Sequence, residues 1–214
     1  MAKSKKSKYQ KFKLTPTVQL ISAMVLFIAA TLASRSQEIS QWELWLFRAV
    51  YNLPQFLHST FVFITQFGSI YMLGLLAVFF LLRRHYHILL RLLMTGTLAY
   101  TATGVAKDLW GRIRPHELLS DVVSLEYVVR GPGFPSGHTA LAAALALTLG
   151  YYWHHRYKWV VVALIVGVSL SRIYLGVHLP LDIVGGFAIG WASYALFRHV
   201  RLQDVLPKHK RGSL

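Results

Sequence analysis

The sequence predicts an all-α integral membrane protein, a bundle of six transmembrane helices. Hydrophobic residues make up 55% of the 214 residues and charged residues only 14%, whereas soluble domains carry about 25% charged residues. Six apolar segments recur along the chain, and most of them approach the ~20 residues that a helix needs to cross a bilayer. No linker divides the chain, which indicates a single membrane domain.

These six segments are the predicted spans. The first is not expected to be a cleaved signal peptide, because no small-residue cleavage site followed by a polar region is evident. The fifth is short unless its helix continues through Arg172 to Val177, which we expect. The segments are Val18–Ala33, Thr60–Leu82, Ile88–Val105, Thr139–Trp153, Trp159–Leu170 and Leu181–Phe197.

Basic residues orient the bundle. With six spans, most of the 23 lysines and arginines fall on one side, and the positive-inside rule makes this side cytoplasmic. We therefore predict a basic cytoplasmic tail (1–16), the six-span domain (17–199) and a second basic cytoplasmic tail (200–214). The clusters comprise Lys3, Lys5, Lys6, Lys8, Lys11, Lys13, Arg83, Arg84, Arg91, Arg156, Lys158, Arg198, Arg201, Lys208, Lys210 and Arg211.

The net charge of +15 reflects this topology and contact with anionic lipid headgroups. A nucleic-acid partner is not expected, because the lysine-rich tail offers only Tyr9 and Phe12 as aromatic platforms. The absence of cysteine excludes disulfides and thiolate metal sites. The expected surroundings are membrane lipids, and the sequence does not determine an oligomeric state.

An amphipathic helix is predicted between the first two spans, within Gln37–Leu57. Trp42, Leu46, Val50 and Leu53 follow helical spacing, which is typical of a helix lying in the membrane interface. Two roles remain open for it: a belt packed on the bundle, or a part that admits a lipid sideways.

Ionisable residues follow the third span. Lys107 and Arg114 lie seven residues apart, so two helical turns place them on one face, and Pro115 predicts a boundary at Arg114. This spacing favours a functional role for both. We interpret Arg112 as a snorkelling cation at the interface.

The loop 116–134 carries charges that we interpret as solvated, because loops are normally polar surface. Glu117, Asp121, Glu126 and Arg130 match no metal-ligand spacing. No metal or cofactor is therefore predicted.

Ser136, Gly137 and His138 open the fourth span. Pro and Ser before an apolar run indicate a helix start, whose free N–H groups form an anion site. Gly137 allows close approach of a ligand to the backbone, and His138 is placed to deliver a proton. An ordinary serine cap beside an incidental histidine is the alternative.

Arg172, His178 and Asp182 lie around the start of the sixth span, where Pro180 suits the first helical turn. Ionisable residues beside a bilayer core are candidates for function. The spacing of His178 and Asp182 stacks two side chains on one helix face, and a carboxylate there can hold an imidazole in one tautomer. A structural Arg–Asp ion pair with a buried histidine is the alternative. Gly186 and Gly190 form a Gly-x-x-x-Gly spacing that predicts close helix packing, more commonly within the chain than between copies.

Together these residues resemble the type 2 phosphatidic acid phosphatase superfamily, whose motifs are K-x6-R-P, P-S-G-H and S-R-x5-H-x3-D. Here the motifs read Lys107-x6-Arg114-Pro115, Pro135-Ser136-Gly137-His138 and Ser171-Arg172-x5-His178-x3-Asp182. All three match without substitution and in the same order, within about Ile88–Phe197. The resemblance implies a six-helix membrane bundle with its site near the outer face.

The resemblance also implies roles for these residues. His178 would be the nucleophile, Asp182 would hold its other ring nitrogen, and His138 would be the general acid. The implied phosphate-binding residues are Lys107, Arg114, Ser136, Gly137 and Arg172. Their cations would neutralise the charge that a metal ion neutralises in other phosphoryl-transfer enzymes.

A site at headgroup level suits an amphiphile with a terminal phosphate. In bacterial members of this superfamily such substrates include undecaprenyl diphosphate, phosphatidylglycerophosphate and phosphatidate, and we favour undecaprenyl diphosphate. Two alternatives stay open: a lipid phosphotransferase that uses the same phosphohistidine, and a non-catalytic lipid-phosphate binder or transporter. The soluble vanadium-dependent haloperoxidases share the motifs, but six spans argue against that assignment.

Overall fold

The structure, a computed structural model, describes residues 15–35, 38–126, 131–198 and 200. Most of both basic tails, together with Gln37 and Arg130, lies outside these ranges. Within them the chain forms α-helices and short 3-10 turns without a β-strand, which confirms the all-α class. The helices are α1 (Pro16–Ala33), α2 (Gln41–Tyr51), α3 (His58–Thr65), α4 (Ile70–Leu82), α5 (Tyr86–Trp110), α6 (Pro115–Leu118), α7 (Gly137–Tyr152), α8 (Lys158–Tyr174) and α9 (Pro180–Arg198).

Several helices are candidate membrane spans. In the described ranges, Pro16–Ala33, Tyr86–Leu118 and Pro180–Arg198 are long and apolar enough to cross a bilayer. The segments Gln55–Gly68 and Ile70–Leu82 make a fourth candidate if they count as one span, although they are bent by 59°. Helices α7 and α8 have 16 and 17 residues, less than the ~20 expected of a span. By length alone, the described helices therefore reach three or four spans rather than the predicted six.

Helix α7 lies at the centre of the bundle, in contact with α5, α8 and α9. Helix α9 approaches it closely through two glycines. A Cβ atom on Gly186 would lie 2.3 Å from the carbonyl oxygen of Ser136, and one on Gly190 would lie 2.2 Å from that of Ala140. The Gly-x-x-x-Gly spacing therefore serves packing within the chain, as predicted.

The outer surface of the bundle is apolar. Val25 and Leu32 of α1, and Leu75 and Leu82 of α4, are each at least half exposed. Contiguous apolar surface of this kind is unfavourable in water but favourable against lipid chains. The exposed faces of α1 and α4 are therefore suited to a bilayer.

Helix α2 lies between the first two spans as predicted, but it buries a different face. Glu43, Phe47 and Val50 are buried, whereas Trp42 and Trp45 are exposed. Only Val50 of the predicted apolar stripe belongs to the buried set. Phe47 and Val50 pack against the connection between α8 and α9. The hydrophobic pattern does not reveal this face because one of its members, Glu43, is charged. The Glu43 carboxylate lies in the interior, where an arginine distant in sequence binds it.

The helix ends separate the bundle into two poles. Lys107 in the last turn of α5, Ser136 before α7, Arg172 in the last turn of α8 and Asp182 in the first turn of α9 share one pole. The opposite ends of these helices, together with the turn between α4 and α5, carry the basic residues of the predicted cytoplasmic side. Within the described ranges these are Arg83, Arg84, Arg91, Arg156, Lys158 and Arg198.

Candidate active site

Lys107 and Arg114 come from different elements. Helix α5 ends at Trp110, and Gly111 takes a left-handed backbone with φ of 52°. The predicted common helix face of Lys107 and Arg114 is therefore wrong. The predicted boundary is confirmed, because Arg114 is extended and Pro115 is the first residue of α6, where its missing N–H is not needed.

The two cations meet at the loop that precedes α7. The Lys107 ammonium donates a hydrogen bond to the carbonyl oxygen of Pro132, and its Nζ lies 3.4 Å from that of Gly133. Arg114 Nε donates to the carbonyl oxygen of Gly131 at 2.7 Å, and its Nη1 donates to that of Val177 at 2.9 Å. Tertiary packing around this loop, rather than helical periodicity, places the two cations together.

Ser136 is the residue before α7, as predicted, and Gly137 begins the helix. The Ser136 side chain does not cap the helix through a backbone N–H; its Oγ instead accepts a hydrogen bond from Thr139 Oγ1 at 3.1 Å. The Ser136 amide donates to the carbonyl oxygen of Asp182 at 2.9 Å, which joins the starts of α7 and α9. His138, in the first turn of α7, is half-buried.

His178 lies in a loop rather than on a helix. Helix α8 includes Arg172 but ends at Tyr174, so the expected continuation to Val177 is wrong. Gly176 has a left-handed φ of 71°, and a Cβ atom there would lie 2.8 Å from the carbonyl oxygen of Val123. The helix therefore ends before His178, and α9 begins at Pro180 as predicted.

Asp182 nevertheless contacts His178. His178 Nδ1 lies 3.3 Å from Asp182 Oδ2, and that oxygen also accepts a hydrogen bond from the Leu179 amide at 2.9 Å. The second contact resembles one half of a capping box, in which an acidic side chain of the first turn reaches back to the chain before the helix. Both side chains are buried. The contact was expected from a common helix face, but the start of α9 produces it.

Arg172 is held by two side chains. Its Nη1 donates to Thr65 Oγ1 at 2.9 Å and to Glu126 Oε1 at 3.1 Å, and its Nη2 contacts Glu126 Oε2 at 2.5 Å. The interpretation of Glu126 as a solvated loop charge is therefore wrong. Glu126 folds over the end of α8 because Arg172 is buried there and attracts a carboxylate.

The cations act together on the His178 imidazole. Burial lowers the pKa of His178 well below its ordinary 6.5, and the positive charges of Lys107, Arg114 and Arg172 lower it further. An imidazole in this setting is neutral near pH 7, so one ring nitrogen keeps its lone pair. The site thus combines a neutral imidazole with cations that attract an anion.

Arg112 and Glu43 are buried beside the site, although the sequence did not predict a place for either residue there. Arg112 is 2% exposed, so its interpretation as a snorkelling cation is wrong. It forms a forked ion pair with Glu43 and a further contact with Asp182. One signal was available: Glu43, Phe47 and Val50 share a helical face, so Glu43 lies on a side that carries two apolar residues.

The arrangement suits nucleophilic attack on a bound anion. In the described part of the chain, no group of three His, Asp or Glu side chains is placed to hold a metal ion. Positive charge is supplied by Lys107, Arg114 and Arg172, and the start of α7 adds N–H groups.

The sequence profile of the PAP2 superfamily matches residues 88–205. The chain is 27% identical over 196 residues to an undecaprenyl-diphosphatase of Sulfolobus acidocaldarius, an alignment that covers 90% of this chain and 93% of that protein.

Two solved structures are similar to the fold. Aquifex aeolicus LpxE matches with a TM-score of 0.65 and 30% identity over 72% of this chain and 92% of that chain. A transmembrane PAP2-type phosphatidylglycerolphosphate phosphatase from Bacillus subtilis matches with a TM-score of 0.72 and 24% identity. That match covers 90% of this chain and 99% of the other.

Proposed function

Because the chain belongs to the PAP2 superfamily, it is a lipid phosphatase of the membrane, and we propose that it hydrolyses the terminal phosphate of undecaprenyl diphosphate. One observation carries the proposal: the His178–Asp182 pair lies where Lys107, Arg114 and Arg172 act on the same imidazole. The choice of lipid follows from the similarity to the Sulfolobus acidocaldarius undecaprenyl-diphosphatase along most of both chains.

In the proposed first step, His178 Nε2 attacks the terminal phosphorus. The new N–P bond forms as the bond from phosphorus to the bridging oxygen breaks, and His138 protonates the departing lipid phosphate. The Nδ1–H of His178 donates to Asp182, whose negative charge stabilises the imidazolium formed in this step. Water then attacks the phosphohistidine, His138 accepts its proton, and phosphate leaves as His178 regains its lone pair.

The phosphoryl oxygens bind the cationic side of the site. Lys107, Arg114 and Arg172 donate charge-assisted hydrogen bonds, which are about twice as strong as neutral ones. Ser136 and the Gly137 backbone complete the binding site at the start of α7. Fixed cations can stabilise the charge that develops during phosphoryl transfer, so this mechanism assigns no step to a metal ion.

We place the site on the outer side of the cell membrane. The six-span arrangement treats α3 and α4 as one bent span and counts the shorter helices α7 and α8 as spans, with α7 at the centre of the bundle. Both basic tails then lie in the cytoplasm. The basic residues at the pole opposite the site support this orientation through the positive-inside rule.

A panel of lipid phosphates tests the activity. The full-length protein in detergent is assayed for free phosphate with undecaprenyl diphosphate, phosphatidylglycerophosphate and phosphatidate, each with and without EDTA. We expect fastest release from undecaprenyl diphosphate, no effect of EDTA, and no release by a folded His178→Ala variant. Near-wild-type turnover in His178→Ala contradicts the nucleophile, and transfer of the phosphate to a second lipid instead of water favours a phosphotransferase.

Cysteine labelling tests the orientation, since the chain has no native cysteine. Asp121→Cys lies at the site pole and Arg156→Cys at the opposite pole, and both positions are exposed. A membrane-impermeant maleimide is expected to label the first in intact cells and the second only after permeabilisation. The reverse pattern contradicts the proposed topology.

A further inference from the structure

Asp182 uses its two carboxylate oxygens for different partners. Oδ2 lies 3.3 Å from His178 Nδ1, whereas Oδ1 accepts a hydrogen bond from Arg112 Nη1 at 3.0 Å. Asp182 has no exposed surface and Arg112 is 2% exposed. A guanidinium that bonded this carboxylate alone would neutralise it, and so weaken its hold on an imidazolium.

Glu43 changes this charge balance. Its carboxylate oxygens bind Arg112 Nη1 at 3.0 Å and Nη2 at 2.8 Å, the forked geometry that suits arginine best. Glu43 is 1% exposed, so little water screens the pair. With Glu43 included, the buried group of two carboxylates and one guanidinium carries a net charge of −1.

Glu43 also contacts the start of α9 directly. Its Oε1 accepts a hydrogen bond from the Leu181 amide at 3.0 Å. One carboxylate therefore touches both the arginine that holds Asp182 and the backbone of the helical turn that carries Asp182. It comes from α2, far outside the matched region 88–205.

We propose that Glu43 and Arg112 are positioning residues that orient Asp182 and keep its negative charge available to His178. The inference rests on the proposed function of that pair. Arg112 fixes the rotation of the Asp182 carboxylate, and Glu43 offsets the arginine charge so that the imidazolium of the phosphohistidine is stabilised. Helix α2 thereby supplies part of the nucleophile's electrostatic environment.

Charge-removing variants test this. Glu43→Gln preserves the shape of the side chain but reduces the net charge of the buried group to zero. The Glu43→Gln/Arg112→Gln double variant removes both charges and returns the net charge to −1 through Asp182. Asp121→Asn is the matched control, because it removes the other ion pair of α2, an exposed contact with Arg48. All are assayed for phosphate release from undecaprenyl diphosphate, with melting in detergent as the folding check.

We expect Glu43→Gln to lower kcat roughly tenfold or more with KM changed less than about twofold, because only the charged intermediate is affected. The double variant should recover severalfold over Glu43→Gln, and Asp121→Asn should match wild type. A double variant less active than the single one, or wild-type kcat in Glu43→Gln, overturns the proposal. If Glu43→Gln does not fold, a folded double variant with less than roughly one-hundredth of wild-type kcat overturns it.

The His178→Ala result separates this inference from the proposed function. If His178→Ala is inactive and Glu43→Gln is unimpaired, the nucleophile stands and only the positioning role fails. If His178→Ala retains near-wild-type turnover, the proposed nucleophile fails, and with it the basis of this inference.

Discussion

His178 Nδ1 lies 3.3 Å from Asp182 Oδ2 although the two residues do not share a helix. His178 belongs to the loop after α8, and Asp182 belongs to the first turn of α9. The carboxylate is further held by the Leu179 amide and by Arg112. A carboxylate restrained by these two other donors can keep an imidazole in one tautomer throughout a reaction.

Asp182→Asn is expected to reduce kcat by about 10²–10⁴-fold, because the amide cannot supply the charge that stabilises the His178 imidazolium. KM should change little, since the phosphate oxygens bind other residues. Steady-state kinetics of the purified variant measures both constants. A change in KM with kcat unaffected contradicts a role for Asp182 in the chemical step.

His138→Asn is expected to lose activity in proportion to the basicity of the leaving group. General acid catalysis contributes about 10²–10⁴-fold and matters less when the leaving group needs no proton. The variant should therefore be severely impaired on phosphatidate but much less impaired on para-nitrophenyl phosphate. Equal losses on both substrates contradict the assignment of His138 as the general acid.

Glu126→Gln is expected to strengthen inhibition by orthophosphate about three- to tenfold. The Glu126 carboxylate accepts hydrogen bonds from the guanidinium of Arg172. It therefore competes with an incoming phosphate for the same charged donors. The inhibition constant for orthophosphate measures the change. Glu117→Gln is the control, because Glu117 is exposed and its carboxylate lies beside His116 rather than Arg172. Weaker inhibition in Glu126→Gln shows that the carboxylate positions Arg172 instead.

Gly190→Ala is expected to destabilise the protein by about 1–3 kcal/mol, the usual cost of overpacking. The added methyl would lie 2.2 Å from the carbonyl oxygen of Ala140, and backbone cannot yield as a flexible side chain does. Gly74→Ala is the control, since no atom lies within 4 Å of its Cβ position. Melting in detergent should show a lower transition for Gly190→Ala only. Equal transitions contradict the tight contact between α7 and α9.

The local sequence predicts the ends of elements well where a residue acts through its own backbone. Pro115 and Pro180 begin helices, and Gly186 and Gly190 bring two helices together. Each acts through a property of the residue itself, a fixed φ or a missing side chain. The prediction of a helix that continues through Val177 is wrong, because the chain turns at Gly176, which has a left-handed backbone.

The sequence by itself determined the helical class, the apolar segments and the family motifs. All of these follow from local composition and from the spacing of residues along the chain. Only the tertiary structure decided that Glu43 pairs with Arg112, 69 residues away, and that Glu126 pairs with Arg172, 46 residues away. Helical periodicity relates residues within a few turns, whereas the partner of a buried charge depends on which helices pack together. The surroundings of His178 and Asp182 therefore emerge only when α2, α5, α8 and α9 meet at one pole of the bundle.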